Sequence, residues 1–140
     1  MIILVGGEKG GAGKSCLSQN LAVYLQTKNR DVLLLDADPQ GTTTDWIKER
    51  DDNDDLKDIP SVQASGNIRS VLKDLQGRYQ DIVIDAGGQD SEALRSAMTI
   101  ATHMLLPFRP KRRDLKTLAH MEQVLKLAKT VNPDLIARAI

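Results

Sequence analysis

The sequence predicts an α/β domain: an open, mostly parallel sheet with helices on both faces. Three observations lead there. Apolar runs alternate with helical patterns from end to end of the chain, the order that successive strand–helix–strand units produce. The runs IILV, VLLLD and IVID are continuous rather than alternating, as strands covered on both faces should be. Each of these runs leads directly into a short segment rich in Gly or Asp, a turn where a hydrophobic strand should end.

The elements follow in order. Ile2–Val5 is the first strand candidate. Residues 14–28 then read as a helix, with Leu17, Leu21, Tyr24 and Leu25 at the spacing of one helical face. A strand is expected at 32–36, a helix at 42–50, a strand at 61–64 and a helix at 67–76. Between the second helix and third strand, residues 51–58 read DDNDDLKD. A calcium loop starting at Asp51 would need Gly at position 56 and Glu at position 62, where Leu56 and Val62 stand. A solvated acidic connection is the reading that remains. Further on come a strand at 82–85, a helix at 91–101, a strand at 103–107 and a helix at 114–130. That last helix carries Leu115, Leu118, Met121, Leu125 and Ala128 as an apolar stripe. Asn132-Pro133 closes it, and residues 135–140 begin a further strand. Because the chain stops inside this apolar run, the expectation is a single domain, 1–140, without its C-terminal strands.

Composition bounds the function. The 140 residues are 41% hydrophobic and 27% charged with zero net charge, so contact with nucleic acid or membrane requires a local patch. Aromatic content of 3% argues against a base-stacking platform. The single cysteine, Cys16, excludes an internal disulfide and suits a reducing cytoplasm. No apolar stretch approaches the roughly 20 residues of a membrane span, and the first residues read as a strand, not a signal peptide. His103 and His120 have no partner at metal-ligand spacing and receive no role.

The chemistry concentrates in three segments. Lys9-Gly10-Gly11-Ala12-Gly13-Lys14-Ser15 lies between a strand and a helix, the context a phosphate-binding loop requires. Its glycines let N–H groups turn inward, and the helix N-terminus adds partial positive charge. Lys14 would reach the β/γ-phosphates and Ser15 would bind Mg²⁺. The usual G-x-x-x-x-G-K-[ST] pattern fails at its first glycine, where Glu8 stands, and Lys9 follows at the mouth of the loop. The second segment is Asp36-Ala37-Asp38-Pro39-Gln40-Gly41, and the third is Asp85-Ala86-Gly87-Gly88. In a parallel sheet all three lie at the carboxyl ends of strands, where ligands of open α/β sheets bind. Asp85, ending an apolar strand beside the phosphate loop, fits the second Mg²⁺ anchor. Asp36 and Asp38 are expected to face opposite sides of an extended segment and so to differ in role. One would face the metal, the other a water attacking the γ-phosphorus.

KGGAGKS with its extra lysine, then DADPQG, then VIDAGG, together resemble the ParA/MinD group of deviant Walker-motif ATPases. The segment DADPQGTTTDWIKER looks most like the small ParA-type plasmid-partition ATPases. The resemblance covers essentially the whole chain and implies a P-loop NTPase fold, ATP and Mg²⁺ as cofactors, and an ATP-dependent homodimer. It further implies that residues 9–16, namely Lys9, Gly10, Gly11, Ala12, Gly13, Lys14, Ser15 and Cys16, hold the nucleotide. Lys9 matches the signature lysine that reaches the partner's phosphates across an ATP sandwich, and Lys14 the phosphate-loop lysine. Asp38 matches the residue that orients the hydrolytic water. Ser15, Asp36 and Asp85 are the metal-side residues, with Gly87-Gly88 as the switch behind them.

Some departures accompany the match. Cys16 stands where the family usually has a hydroxyl on the α-phosphate; a thiol donates more weakly, and its place at a helix start beside lysines suits a reactive thiol. The expectation from the resemblance is that the family's adenine loop lies beyond the residues present. With a first strand at Ile2, the chain is also expected to be of the short type, without a preceding helix-turn-helix domain. The basic cluster Arg109, Lys111, Arg112, Arg113 and Lys116 is a candidate patch for non-specific DNA. Cations at a helix start are electrostatically unfavourable, which points to a purpose. The expectation is a cytoplasmic, nucleoid-associated ATPase that works with a centromere-binding adaptor to partition DNA. Two alternatives stand beside it: a MinD-like or conjugation-associated positioning ATPase at a membrane or pole, and a short, catalytically weak nucleotide-binding form.

Overall fold

The computed structural model describes the chain except residues 8, 9, 89, 110 and 111, and the side chains of residues 112–116 as well. Six strands and five helices alternate through the described residues: β1 Ile2–Val5, α1 Lys14–Thr27, β2 Val32–Ala37, α2 Thr42–Asp51, β3 Ser61–Gln63, α3 Arg69–Leu75, β4 Asp81–Ala86, α4 Glu92–Met98, β5 His103–Leu106, α5 Arg112–Val131 and β6 Ile136–Ala139. The strands form one sheet in the order β3-β2-β4-β1-β5-β6, and every pairing is parallel. The fold is that of a P-loop NTPase, as expected.

Every residue of β1, β2 and β4 is buried, which is why their sequences show no polar alternation. The two faces nevertheless separate cleanly. Ile2, Leu4, Leu33, Leu35, Ile82 and Ile84 pack with Leu72 of α3, Leu94 of α4 and Met121 of α5. Ile3, Val5, Val32, Leu34 and Val83 pack instead with Ala22 and Leu25 of α1 and Ile47 of α2. Successive side chains point to opposite faces, so each central strand feeds two cores. Edge strands differ: β3 and β6 are largely exposed, and residues 51–58 are solvated throughout.

Boundaries shift for local reasons. The helix expected at 91–101 ends at Met98, because the N–H groups of Ile100 and Ala101 both bond the Ala97 carbonyl at 3.1 and 2.8 Å, tightening the last turn. Thr102 then fastens β5 to β1: its hydroxyl accepts from the Ile2 N–H at 3.1 Å and donates to the Ile2 carbonyl at 2.8 Å. The helix expected from residue 67 begins at Arg69, whose N–H bonds the Asn67 side chain at 3.2 Å.

The amino edge of the sheet is locked by charge. Asp81 opens β4 fully buried and takes a two-pronged bond from Arg30, with Nη2 at 3.0 Å from Oδ1 and Nε on Oδ2. Burial pushes the Asp81 carboxyl up, but Arg30 and the Met1 ammonium outweigh it and hold it below the usual range. A depressed folded pKa contributes stability above the unfolded value, and that contribution is lost as pH falls through the folded one. Arg30→Ala is therefore expected to destabilise the chain at pH 7. The gap from the parent should shrink below about pH 4 in urea unfolding at the two pH values.

Candidate active site

Sheet order brings the three sequence segments together. β4 lies between β2 and β1, with Asp85 opposite Val5 on one side and Asp36 on the other. The loops that leave these strands therefore share one carboxyl edge, with α1 and α2 rising from it.

The glycine-rich loop is shaped for open backbone. Gly11 and Gly13 have φ of 72° and 89°, left-handed values that a side chain would strain. Gly13 is the residue that starts α1, so no side chain caps this helix, and its first turn holds no acidic residue. N–H groups at such an end remain available to an anion. Lys14 is 6% exposed. Burial lowers its pKa, while Asp85 and Asp38 act in the opposite direction. Ser15 follows, half-buried, and Cys16 is exposed, with the Asn20 amide 3.5 Å from its sulfur.

Asp85 is fully buried, and Thr43 of α2 donates to its Oδ2 at 2.6 Å. Its Oδ1 is buried with no hydrogen-bond partner among the described residues. Burial raises the Asp85 pKa; hydrogen bonds from Thr43 and Ser15 pull it down, and the nearby charges of Asp36 and Asp38 push it up again. A buried carboxylate oxygen left open beside a serine hydroxyl is a fitting ligand for a hard divalent cation, which takes few protein oxygens and keeps several waters. The residues present thus fit Mg²⁺. No cluster of three or more His, Cys, Asp or Glu occurs among the described residues, in keeping with so lean a donor set.

Asp36 and Asp38 do differ, but not for the reason expected. Residues two apart in an extended strand share a face, so alternation does not separate them. What separates them is the end of β2 at Ala37. Asp36, 2% exposed, turns to the start of α2: its Oδ2 accepts from the Thr44 N–H and hydroxyl, both at 2.7 Å, and its Oδ1 accepts from the Asp38 N–H at 3.0 Å. It caps α2 from a distance and fixes the turn. Asp38 lies in that turn, its Oδ1 accepting from the Gln40 N–H at 2.9 Å. A Cβ on Gly87 would stand 3.3 Å from the Asp38 carboxylate, a tight approach that would displace that side chain by a few tenths of an ångström. Asp38 also lines a cavity of about 400 Å³ with Gly10, Gln40, Gly87 and Ser91.

Lys9 and Lys111 lie outside the described residues, as do the side chains of Arg112, Arg113 and Lys116. Of the basic cluster, Arg109 is described, and its Nη2 donates to the Gly11 carbonyl. This contact, like those of Thr43, Thr44 and Gln19, escaped sequence reasoning. The signal for the threonines was present: three in a row follow DADPQG, where a helix begins and hydroxyls pair with neighbouring polar groups.

A family model described as the CobQ/CobB/MinD/ParA nucleotide binding domain matches residues 3–137. A protein ParA from Rhizobium radiobacter is 28% identical over 99% of this chain and 66% of its own length. A plasmid partition protein from Borrelia burgdorferi superposes with a TM-score of 0.75 at 22% identity, over 99% of this chain and 76% of that one. Cobyrinic acid a,c-diamide synthase from Mycobacterium smegmatis, solved with bound ADP and magnesium, gives a TM-score of 0.85 at 18% identity, over 99% and 73%. The chain spans 53% to 66% of the length of three curated relatives that it matches. No helix of the described residues is long and apolar enough to cross a membrane.

Proposed function

Because the chain belongs to the CobQ/CobB/MinD/ParA nucleotide-binding family, we propose that it binds ATP with Mg²⁺ on the β1–α1 loop, hydrolyses it in a sandwich dimer, and uses that cycle to partition DNA. The observation that carries this reading is the junction at the ends of β1, β2 and β4. There an uncapped helix start, a buried lysine and a buried carboxylate with one open oxygen meet a second carboxylate on a turn.

In this reading the loop N–H groups and Lys14 neutralise the β- and γ-phosphates. Ser15 and Asp85 would hold Mg²⁺, which would supply charge neutralisation to the bound phosphates. Asp36, whose oxygens are committed to Thr44 and Asp38, serves the metal side by holding the turn in place. Asp38 accepts a hydrogen bond from the attacking water and aims it at the γ-phosphorus. The protein's contribution to phosphoryl transfer is mostly such positioning and charge stabilisation. Lys9, one per subunit, reaches the partner's phosphates, so nucleotide state becomes subunit pairing. Non-specific DNA would meet the segment 109–116, and a centromere-binding adaptor would stimulate turnover. Similarity to ParA and to a plasmid partition protein supports this assignment over other uses of the fold.

Phosphate release by the purified chain, alone, with duplex DNA and with anionic lipid vesicles, tests the proposal. Slow basal hydrolysis that DNA accelerates is expected. Acceleration by vesicles but not DNA would overturn partition in favour of a membrane-positioning role. Absence of both nucleotide binding and hydrolysis would overturn the ATPase reading for this chain.

A further inference from the structure

Asp36 and Asp85 stand directly opposite each other on adjacent parallel strands, so two buried carboxylates end side by side. The first turn of α2 answers both. Thr44 attends Asp36, and Thr43, 1% exposed, attends Asp85. A threonine hydroxyl has one proton. At Thr43 its direction is set from behind, because the Gln19 amide of α1 donates to the same oxygen at 3.2 Å. That leaves the Thr43 proton for Asp85 Oδ2 at 2.6 Å. The carboxylate is thereby fixed by one oxygen, while Oδ1 stays open in a buried place.

We propose that Thr43 is a positioning residue that orients Asp85 so that Oδ1 is presented to the metal of the bound nucleotide. The assignment rests on the Mg²⁺-nucleotide reading above and names how this chain sets up that site. It also joins two parts of the machinery. The turn bearing Asp38 runs from Asp36 to the threonines, so the residue that holds the metal-side carboxylate and the one that orients water hang from the same helix end. Ligands of a metal are commonly held by such partners, and removing the partner weakens metal affinity about tenfold to a hundredfold.

The test uses the purified chain and a fluorescent ATP analogue, with Mg²⁺ titrated in and, separately, with EDTA present. Thr43→Val keeps the volume and removes the hydroxyl. It is expected to raise the Mg²⁺ concentration for half-saturation about tenfold to a hundredfold, while affinity in EDTA stays within about twofold of the parent. Thr43→Ser, which keeps the proton, should titrate like the parent. Should the valine variant fail to fold, Thr43→Ala provides the same comparison, with thermal melting as the check on folding. A Val or Ala variant with the parent's Mg²⁺ titration, or a Ser variant as impaired as Val, overturns the assignment. A parent that binds the analogue without any Mg²⁺ dependence overturns the metal reading itself, a distinct result.

Discussion

Lys14→Ala is expected to remove nucleotide binding and leave the unliganded fold standing. The side chain lies 6% exposed at the start of α1, and burial lowers its pKa against the pull of Asp85 and Asp38. In the free chain the ammonium therefore sits in a place that costs it hydration, partly offset by two carboxylates. A triphosphate changes that balance by adding negative charge where water is scarce. A hydrogen bond to a charged group contributes about 1.5–3 kcal/mol. Two of them, to β- and γ-oxygens, would then account for a loss of about a hundredfold or more in affinity. The melting temperature without nucleotide should move little, since removing a desolvated cation also removes its desolvation cost. Fluorescent-nucleotide titration beside thermal melting reads both quantities. Parent-like affinity would contradict the role, and collapse of the fold would show that Lys14 is structural instead. Because only the charged amine serves the phosphates, affinity in the parent should also weaken as pH rises towards the depressed Lys14 pKa.

The sequence made the strands legible because parallel strands buried on both faces cannot hide: IILV, VLLLD and IVID have no polar face to show. The α5 stripe was legible in part: Met121 and Ala128 lie in the core and Leu125 packs against it, while Val124, buried beside them, was not among the residues read as the stripe. Strand order was not legible. Nothing local in β4 says that it inserts between β2 and β1, yet that insertion is what sets Asp85 beside Asp36. The glycine-rich loop announced itself through glycines that the backbone needs, at φ 72° and 89°. The Thr43 contact stayed hidden because it spans 42 residues to Asp85 and depends on that strand order, whereas Thr44 reaches Asp36 locally across the turn. Alternation was the wrong ground for separating Asp36 from Asp38, since residues two apart on an extended segment share a face. They differ because β2 ends at Ala37 and the chain turns on Asp38.

Asp38→Ala is expected to separate binding from turnover. Unlike Asp36 and Asp85, Asp38 is not buried; its carboxylate accepts from the Gln40 N–H and faces the space that Gly87 leaves open. Nothing in this position holds the phosphates, so ATP affinity should change little. Hydrolysis should fall by about a hundredfold or more, the usual scale for a group that positions or accepts a proton. Because turnover is what ends the ATP state, the variant should accumulate as an ATP-bound dimer, visible as doubled mass by light scattering where the parent returns to monomer. Alanine also removes the acceptor that closes the turn, which by itself costs about 0.5–1.5 kcal/mol. Asp38→Asn resolves the ambiguity. It keeps an oxygen for the Gln40 N–H and loses the negative charge, so a turn-holding role predicts normal hydrolysis and a water-orienting role predicts the same arrest as alanine. Normal hydrolysis in both variants would remove Asp38 from the mechanism and leave Asp85 as the sole candidate carboxylate among the described residues at the junction with an oxygen to offer.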